Sequence, residues 1–183
     1  MKGRNYALRM VKSKFFLLVD DDNFFTDQTK IEKLVSILES TNANIVGGDH
    51  SVSRTYCSYF GKLTLLRNHT TGKVTILHEN GVYFENVLNF KYCYKVDVIK
   101  NFFVARKDEV VKFGGWNDEL HVAEHKDFFL RMLKHNVRVI FCTDIRLGHN
   151  QISDPIRSHR NKIEKEYSDK MMRMNNLDRN VYR

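Results

Sequence analysis

A mixed α/β domain is predicted by three features of the 183-residue sequence. Phe15 to Val19 is an unbroken apolar run closed by Asp20-Asp21-Asp22, the pattern of a strand covered on both faces. Thr29 to Glu39 sets Ile31, Leu34, Val35 and Leu38 at helical spacing, and Asn44 to Val46 is a second strand closed by Gly47-Gly48. Strand, helix and strand therefore follow in the order of a βαβ unit. Tyr56 to Val96 is rich in β-branched and aromatic residues, with turns at Thr71-Gly72 and Asn80-Gly81. That stretch reads as antiparallel hairpins laid against the sheet.

The other elements follow from the same rules. Arg4 to Val11 reads as a short helix, and Lys14 opens the first strand. Phe102 to Ala105 is a strand, and Lys107 to Phe113 a short helix ended by Gly114-Gly115. From about Glu124 to His135 a helix carries Phe128, Met132 and His135 on one side, with Phe129 and Leu133 adjoining. Arg138 to Cys142 and Ile145 to His149 are short strands, and Pro155 opens a basic tail that is helical over Ile156 to Asn176. The expected organisation is one domain over residues 1–152 and a tail over 153–183.

Composition removes several classes. The length suits one domain with a real core. Thirteen Phe and eight Tyr among many aliphatic residues, with mixed charge, exclude disorder. Three cysteines cannot staple a chain this long, so a disulfide scaffold is excluded. The apolar run at Phe15 is too short for a membrane helix or a signal-peptide core. Thirty Lys/Arg against 22 Asp/Glu give a net charge of +8, which points to an anionic partner: nucleic acid, a phosphorylated ligand or an acidic glycan. Pro155 to Arg183 holds eight Lys/Arg against four Asp/Glu, half of that surplus. A solvated helix explains this as well as a nucleic-acid face does, and the chain carries no nucleic-acid-binding module.

Three groups of residues could carry chemistry. If the first strand stays extended, Asp20 and Asp22 point the same way and Asp21 faces away. Two carboxylates at the carboxyl end of a strand can hold a hard divalent cation, and an acidic turn is the plainer reading. An EF-hand is excluded, because Phe24 or Phe25 falls at a ligand position and the loop lacks its glycine. Second, Glu124 and Asp127 share a face in the first turn of a helix, where the helix dipole favours the ionised form that a general base needs. Helix capping is the alternative. The overlapping His121-x-x-Glu124-His125 matches the H-x-x-E-H pattern of zinc peptidases, which needs one continuous helix through both histidines and a third ligand such as Glu164 or Glu166. Third, His149 follows Gly148 at a strand end and is a lone candidate ligand. Arg4 and Asn5, opening the first helix, could meet a phosphate or ribose, with a solvated helix terminus as the alternative. Asn68-His69-Thr70 is a glycosylation sequon.

In order, these pieces resemble the GT-A glycosyltransferases. Gly3-Arg4-Asn5, the strand into Asp20-Asp21-Asp22, Asn101 to Arg106, Gly114-Gly115-Trp116, Glu124-His125-x-Asp127-Phe128-Phe129 and Gly148-His149 carry the resemblance. It covers roughly Gly3 to His149, and it is nearest to the β-1,4-N-acetylgalactosaminyltransferases acting on gangliosides and glycoproteins. The resemblance implies a metal-dependent inverting enzyme using a UDP-sugar donor, UDP-GalNAc first, and a galactose-terminated, sialylated glycan or glycolipid acceptor. The implied fold is the C-terminal portion of a GT-A fold, a mixed sheet flanked by helices. Asp20 and Asp22 would bind Mn²⁺ (or Mg²⁺), with His149 as a further metal ligand. Arg4, Asn5, Asp20, Asp21, Gly115 and Trp116 would contact substrate. Many relatives carry an acid at the position of His125, so the base is left open between Asp127, Glu124 and His125.

The D-x-D lies well inside the catalytic domain of such enzymes, whereas here it begins at residue 20. The expectation is therefore a partial domain lacking much of the nucleotide-binding half, the stem and the membrane anchor of a Golgi-lumen protein. Such a chain would bind UDP poorly. A related transferase with another sugar, or an inactive glycan-binding remnant, are the alternatives, and a homodimer stays open. Cys93 and Cys142 lie in segments that match the family. An oxidised pair leaving Cys57 free is one reading, three buried thiols the other.

Overall fold

The computed structural model describes residues 2–51, 59–150 and 155–183. Helix α1 (Lys2–Met10) leads into β1 (Phe15–Val19) and the short β2 (Asn23–Phe24). Next come α2 (Ile31–Ser40), β3 (Ile45–Ser51), β4 (Phe60–Arg67), β5 (Val74–Asn80), β6 (Asn86–Val87), β7 (Phe90–Val96), β8 (Val98–Ile99) and β9 (Phe102–Arg106). They are followed by α3 (Lys107–Lys112), α4 (Glu124–Lys134), β10 (Val139–His149), α5 (Pro155–Met174) and β11 (Arg179–Tyr182).

The main sheet runs β1-β9-β3-β10-β7-β6, with β2 paired to β10. Its centre is covered on both faces. In β9, Phe102 and Val104 point into a core with Leu34, Ile37 and Leu38 of α2. Phe103 and Ala105 point into a second core with Leu8, Trp116, Phe128 and Phe129. This is the period-two alternation of a strand sandwiched between layers.

Double coverage thus belongs to β9, whereas β1 is the edge strand and its five residues are only half-buried. The βαβ unit is present with a difference. β1 and β3 both run antiparallel to β9, which lies between them, so the two are parallel without touching. Gly47 and Gly48 lie inside β3 instead of closing it. A Cβ on Gly47 would sit 2.4 Å from the Phe102 carbonyl oxygen, and one on Gly48 2.3 Å from that of Ile145, so both positions require glycine. The two strands expected between Arg138 and His149 are one strand, β10, whose register against β3 shifts between Cys142 and Arg146.

The predicted hairpins are divided between two sheets. β6 and β7 extend the main sheet, and β4 and β5 form the second, ordered β11-β5-β4-β8. The start of that stretch, at Tyr56, lies outside the described residues, as does Cys57. The tail helix is present as α5, which buries Met171 against the core. The chain then returns as β11, parallel to β5, and Lys126 on α4 donates to the Tyr182 hydroxyl. Among the described residues no helix is long and apolar enough to cross a membrane.

Cys93 on β7 and Cys142 on β10 face each other in register and are joined by a disulfide. Denatured without reductant, the protein should therefore show one reactive thiol of its three cysteines; three thiols would refute the bond. The bridge spans 49 residues of sequence, so a Cys93→Ala/Cys142→Ala variant should lose about 4 kcal/mol in chemical denaturation.

Candidate active site

Five elements bring polar groups to the carboxyl end of β1. Asp20 follows β1, Arg4 comes from α1, Asn101 from the β8–β9 turn, Glu124 and His125 from the first turn of α4, and His149 from the end of β10. Arg4 links the two acids: Nη2 donates to Asp20 Oδ1 at 2.7 Å and Nη1 to Glu124 Oε1 at 3.4 Å. Asn101 Nδ2 donates to Asp20 Oδ2 at 3.0 Å, and Asn101 Oδ1 meets His125 Nδ1 at 2.8 Å. The network therefore runs from Glu124 through Arg4, Asp20 and Asn101 to His125.

Asp22 has different partners. The strand ends at Val19, and Asp21-Asp22 lie in a turn, so the alternation that would set Asp20 beside Asp22 does not extend to them. Asp22 Oδ2 instead lies 3.0 Å from His149 Nε2. The pairing of β2 with β10 and the Asn150 N–H donating to the Asp22 carbonyl at 2.8 Å bring these two together. His50 on β3 stacks on His149 with ring centroids 5.5 Å apart. Its buried Nε2 has no hydrogen-bond partner among the described residues. Sequence reasoning did not single out His50, whose contact with His149 joins two distant strands, and it gave Asn101 only as the start of a matching segment, because its partners Asp20 and His125 come from elsewhere in the chain. Asp21 is exposed and makes no described side-chain hydrogen bond.

Asp127 is placed differently from Glu124. Its side chain is 1% exposed, its Oδ2 accepts from Arg131 Nε at 2.8 Å, and its Oδ1 accepts from Asn175 Nδ2 at 2.9 Å. Arg131 also donates to the carbonyls of Phe113 and Gly115. The Asp127–Arg131 pair thereby ties α4 to the loop carrying Trp116. That loop is also clamped by Asn5, whose amide accepts from the Trp116 N–H at 2.9 Å and donates to its carbonyl at 2.6 Å. Gly115, at φ +62°, has no room for a Cβ, which would lie 2.4 Å from Asn5 Oδ1. The Trp116 ring is buried and stacks on Phe128 with centroids 4.9 Å apart, and the Arg4 guanidinium lies 5.9 Å from its centre. Asn5, Gly115 and Trp116 line one open depression of about 360 Å³.

The H-x-x-E-H reading fails on geometry. Helix α4 begins at Glu124, after Ala123 in the left-handed region at φ +64°. His121 therefore lies off the helix, with its ring edge-on to Tyr167, and His125 turns to Asn101. Among the described residues no three His, Cys, Asp or Glu side chains converge as a ready-made cation cage.

Three histidines are held below their ordinary value near 6.5. Burial, then Lys100 and His149, lower His50 to about 4; burial, then Lys126, lowers His78 to about 4; burial, then Arg4, lowers His125 to about 3. The unfolded chain takes up these protons as pH falls through 6.5 while the folded chain does not, so stability falls with falling pH. Asp97, raised to about 6 by burial, opposes this below pH 6 because the folded form then holds the extra proton. Calorimetry should give a melting temperature that is level above pH 7 and about 5 °C or more lower at pH 5. A level profile from pH 7 to 5 would contradict neutral burial of the three rings.

Residues 1–108 match the model of the family described as glycosyl transferase family 2. The chain is 34% identical over 147 residues to Beta-1,4 N-acetylgalactosaminyltransferase 1 of Rattus norvegicus, which covers 80% of this chain and 27% of that protein. Identity to the Homo sapiens protein of the same name is 33%, with the same shares. Identity to Beta-1,4 N-acetylgalactosaminyltransferase 2 of Mus musculus is 32% over 165 residues, 90% of this chain and 31% of that protein. The chain thus spans about three-tenths of the length of the curated relatives it matches.

Proposed function

The chain belongs to glycosyl transferase family 2, and on that premise we propose that it carries the metal and acceptor side of an inverting glycosyltransferase. The donor is UDP-GalNAc, and the acceptor a galactose-terminated, sialylated glycan or glycolipid. The mixed sheet flanked by helices is consistent with a GT-A fold. The observation that carries the reading is the Asp22–His149 pair at 3.0 Å, set beside the network from Glu124 to His125.

The donor pair fits a divalent cation. An octahedral cation with bonds of about 2.1 Å has a ligand edge of about 3.0 Å, the separation of Asp22 Oδ2 and His149 Nε2. A carboxylate with an imidazole suits Mn²⁺, and Mg²⁺ is the harder alternative. Bound there, the cation would offset the charge growing on the departing UDP. Asp20, occupied by Arg4 and Asn101, anchors the network and orders the turn that presents Asp22.

Of the two α4 acids, Glu124 is the better base. It belongs to the Asp20 network through Arg4 and sits in the first turn of α4. Both acids are buried, but Asp127 has both oxygens engaged, whereas Glu124 is held through Oε1 alone among the described residues. Asn5, Gly115 and Trp116 hold the loop that leads into α4. The Cys93–Cys142 bridge supports an oxidising compartment, the Golgi lumen for this reading.

The test is UDP release from UDP-GalNAc by the purified chain with and without Mn²⁺. Release that requires Mn²⁺ is the expected result. Release that ignores Mn²⁺ would overturn the metal assignment, and equal release from UDP-glucose would overturn the donor. Absence of both release and Mn²⁺ binding would overturn the reading as a whole.

A further inference from the structure

We infer that Asn101 is a positioning residue that fixes the tautomer of His125, leaving Nε2 as a bare hydrogen-bond acceptor for a sugar hydroxyl. Asp20 is ion-paired with Arg4 at 2.7 Å, and an ionised carboxylate only accepts. The Asn101 atom facing it, at 3.0 and 3.3 Å, must therefore be the amide nitrogen. The amide oxygen is then the atom 2.8 Å from His125 Nδ1. An amide oxygen also only accepts, so Nδ1 must carry the proton.

The imidazole is neutral in this setting, since burial and the Arg4 charge disfavour a second proton more than the Ile99 backbone carbonyl, which also faces the ring, favours one. With its one proton on Nδ1, the ring offers a lone pair at Nε2. The ring is gripped by Phe129, edge-on at 5.1 Å, and by Tyr59 at 5.6 Å, so it cannot readily turn to exchange its nitrogens. The residue as a whole is half-buried, and Nε2 takes the part of acceptor for a ligand. A sugar hydroxyl is the chemical class that fits, a neutral donor beside a carboxylate, Glu124, held one residue away. The tautomer itself does not depend on the transferase reading, but the sugar hydroxyl as its ligand does.

Long-range ¹⁵N–¹H NMR on protein labelled at the histidine imidazoles reads the tautomer directly. The His125 signal is assigned by its loss in His125→Gln. We expect the Nδ1–H form in the wild type. Asn101→Ala should shift His125 to the Nε2–H form or to a mixture. Asn101→Asp should restore Nδ1–H, because a carboxylate also accepts from Nδ1. In UDP-release assays Asn101→Ala should lower kcat by about tenfold or more, with Asn101→Asp falling less. A wild-type Nε2–H form, or no change in Asn101→Ala, would overturn the inference whatever the enzyme's activity. A tautomer switch with unchanged kcat would overturn the positioning role alone. Loss of all turnover in the wild type with the Nδ1–H form present would instead count against the transferase reading and its sugar ligand.

Discussion

Asp22→Ala is expected to lower Mn²⁺-stimulated UDP release by about 100-fold or more, while the melting temperature stays within about 2 °C of the wild type. The two halves of that expectation come from the same geometry. The Asp22 side chain is 44% exposed and, among the described residues, accepts only from His149 and the neighbouring Asn23 amide. Removing it takes one partner from His149 at a place that solvent can enter, and surface changes of this kind scarcely move stability. The backbone bond from Asn150 to the Asp22 carbonyl survives, so the β2–β10 pairing that sets the turn is kept. What is lost is half of the donor pair for the cation.

His149→Ala should weaken Mn²⁺ binding in the same direction, read by the paramagnetic resonance of free Mn²⁺. Asp20→Ala should behave otherwise. It strips Arg4 of its nearest carboxylate and leaves Asn101 without its acceptor, so stability and activity should fall together. If Asp22→Ala keeps full Mn²⁺ stimulation, the cation lies elsewhere and the pairing with His149 is only a hydrogen bond.

The elements were legible in the sequence where a local pattern decides them. The period of Ile31, Leu34, Val35 and Leu38 locates α2, and the glycines after Phe113 stop α3. Strand order was not legible, because the strand next to β1 is chosen by packing across the sheet. Phe102 to Ala105 reads as a strand from its residues, yet only the layers above and below it make it the one between β1 and β3. β2 is two residues long and β11 is polar, so neither carries a periodic signal. At the site, the residue types were readable and their partners were not. Asp20 and Asp22 were paired on the assumption of extended backbone, and a turn at Asp21-Asp22 separates their contacts. Asn101 stood in plain view beside the Phe102 strand, but an amide gains meaning only from the atoms at its two ends.

Asp127→Asn should destabilise the protein by about 3–5 kcal/mol, lowering the melting temperature by about 10 °C. Asparagine is nearly the same size, so the loss would come from charge and hydrogen-bond polarity. Asp127 is an acceptor on both oxygens, from Arg131 on one side and Asn175 on the other. In the variant one of those positions becomes an NH₂ facing a donor, and the Arg131 guanidinium loses its counter-charge inside the protein. The damage would spread, because Arg131 also holds the carbonyls of Phe113 and Gly115, and Asn175 ties the end of α5 to α4. Arg131→Met/Asp127→Leu, which removes both charges together, should recover much of the loss. A catalytic base would give the opposite pattern: Asp127→Asn would fold with an unchanged melting temperature and lose turnover. Glu124→Gln supplies the matching comparison. It keeps an oxygen and a similar shape beside Arg4, whose second carboxylate, Asp20, still holds the guanidinium. Its melting temperature should move by only a few degrees, while UDP-GalNAc turnover onto an acceptor should drop by about 100-fold or more. If the two variants exchange these outcomes, the base is Asp127 and Glu124 is the structural acid.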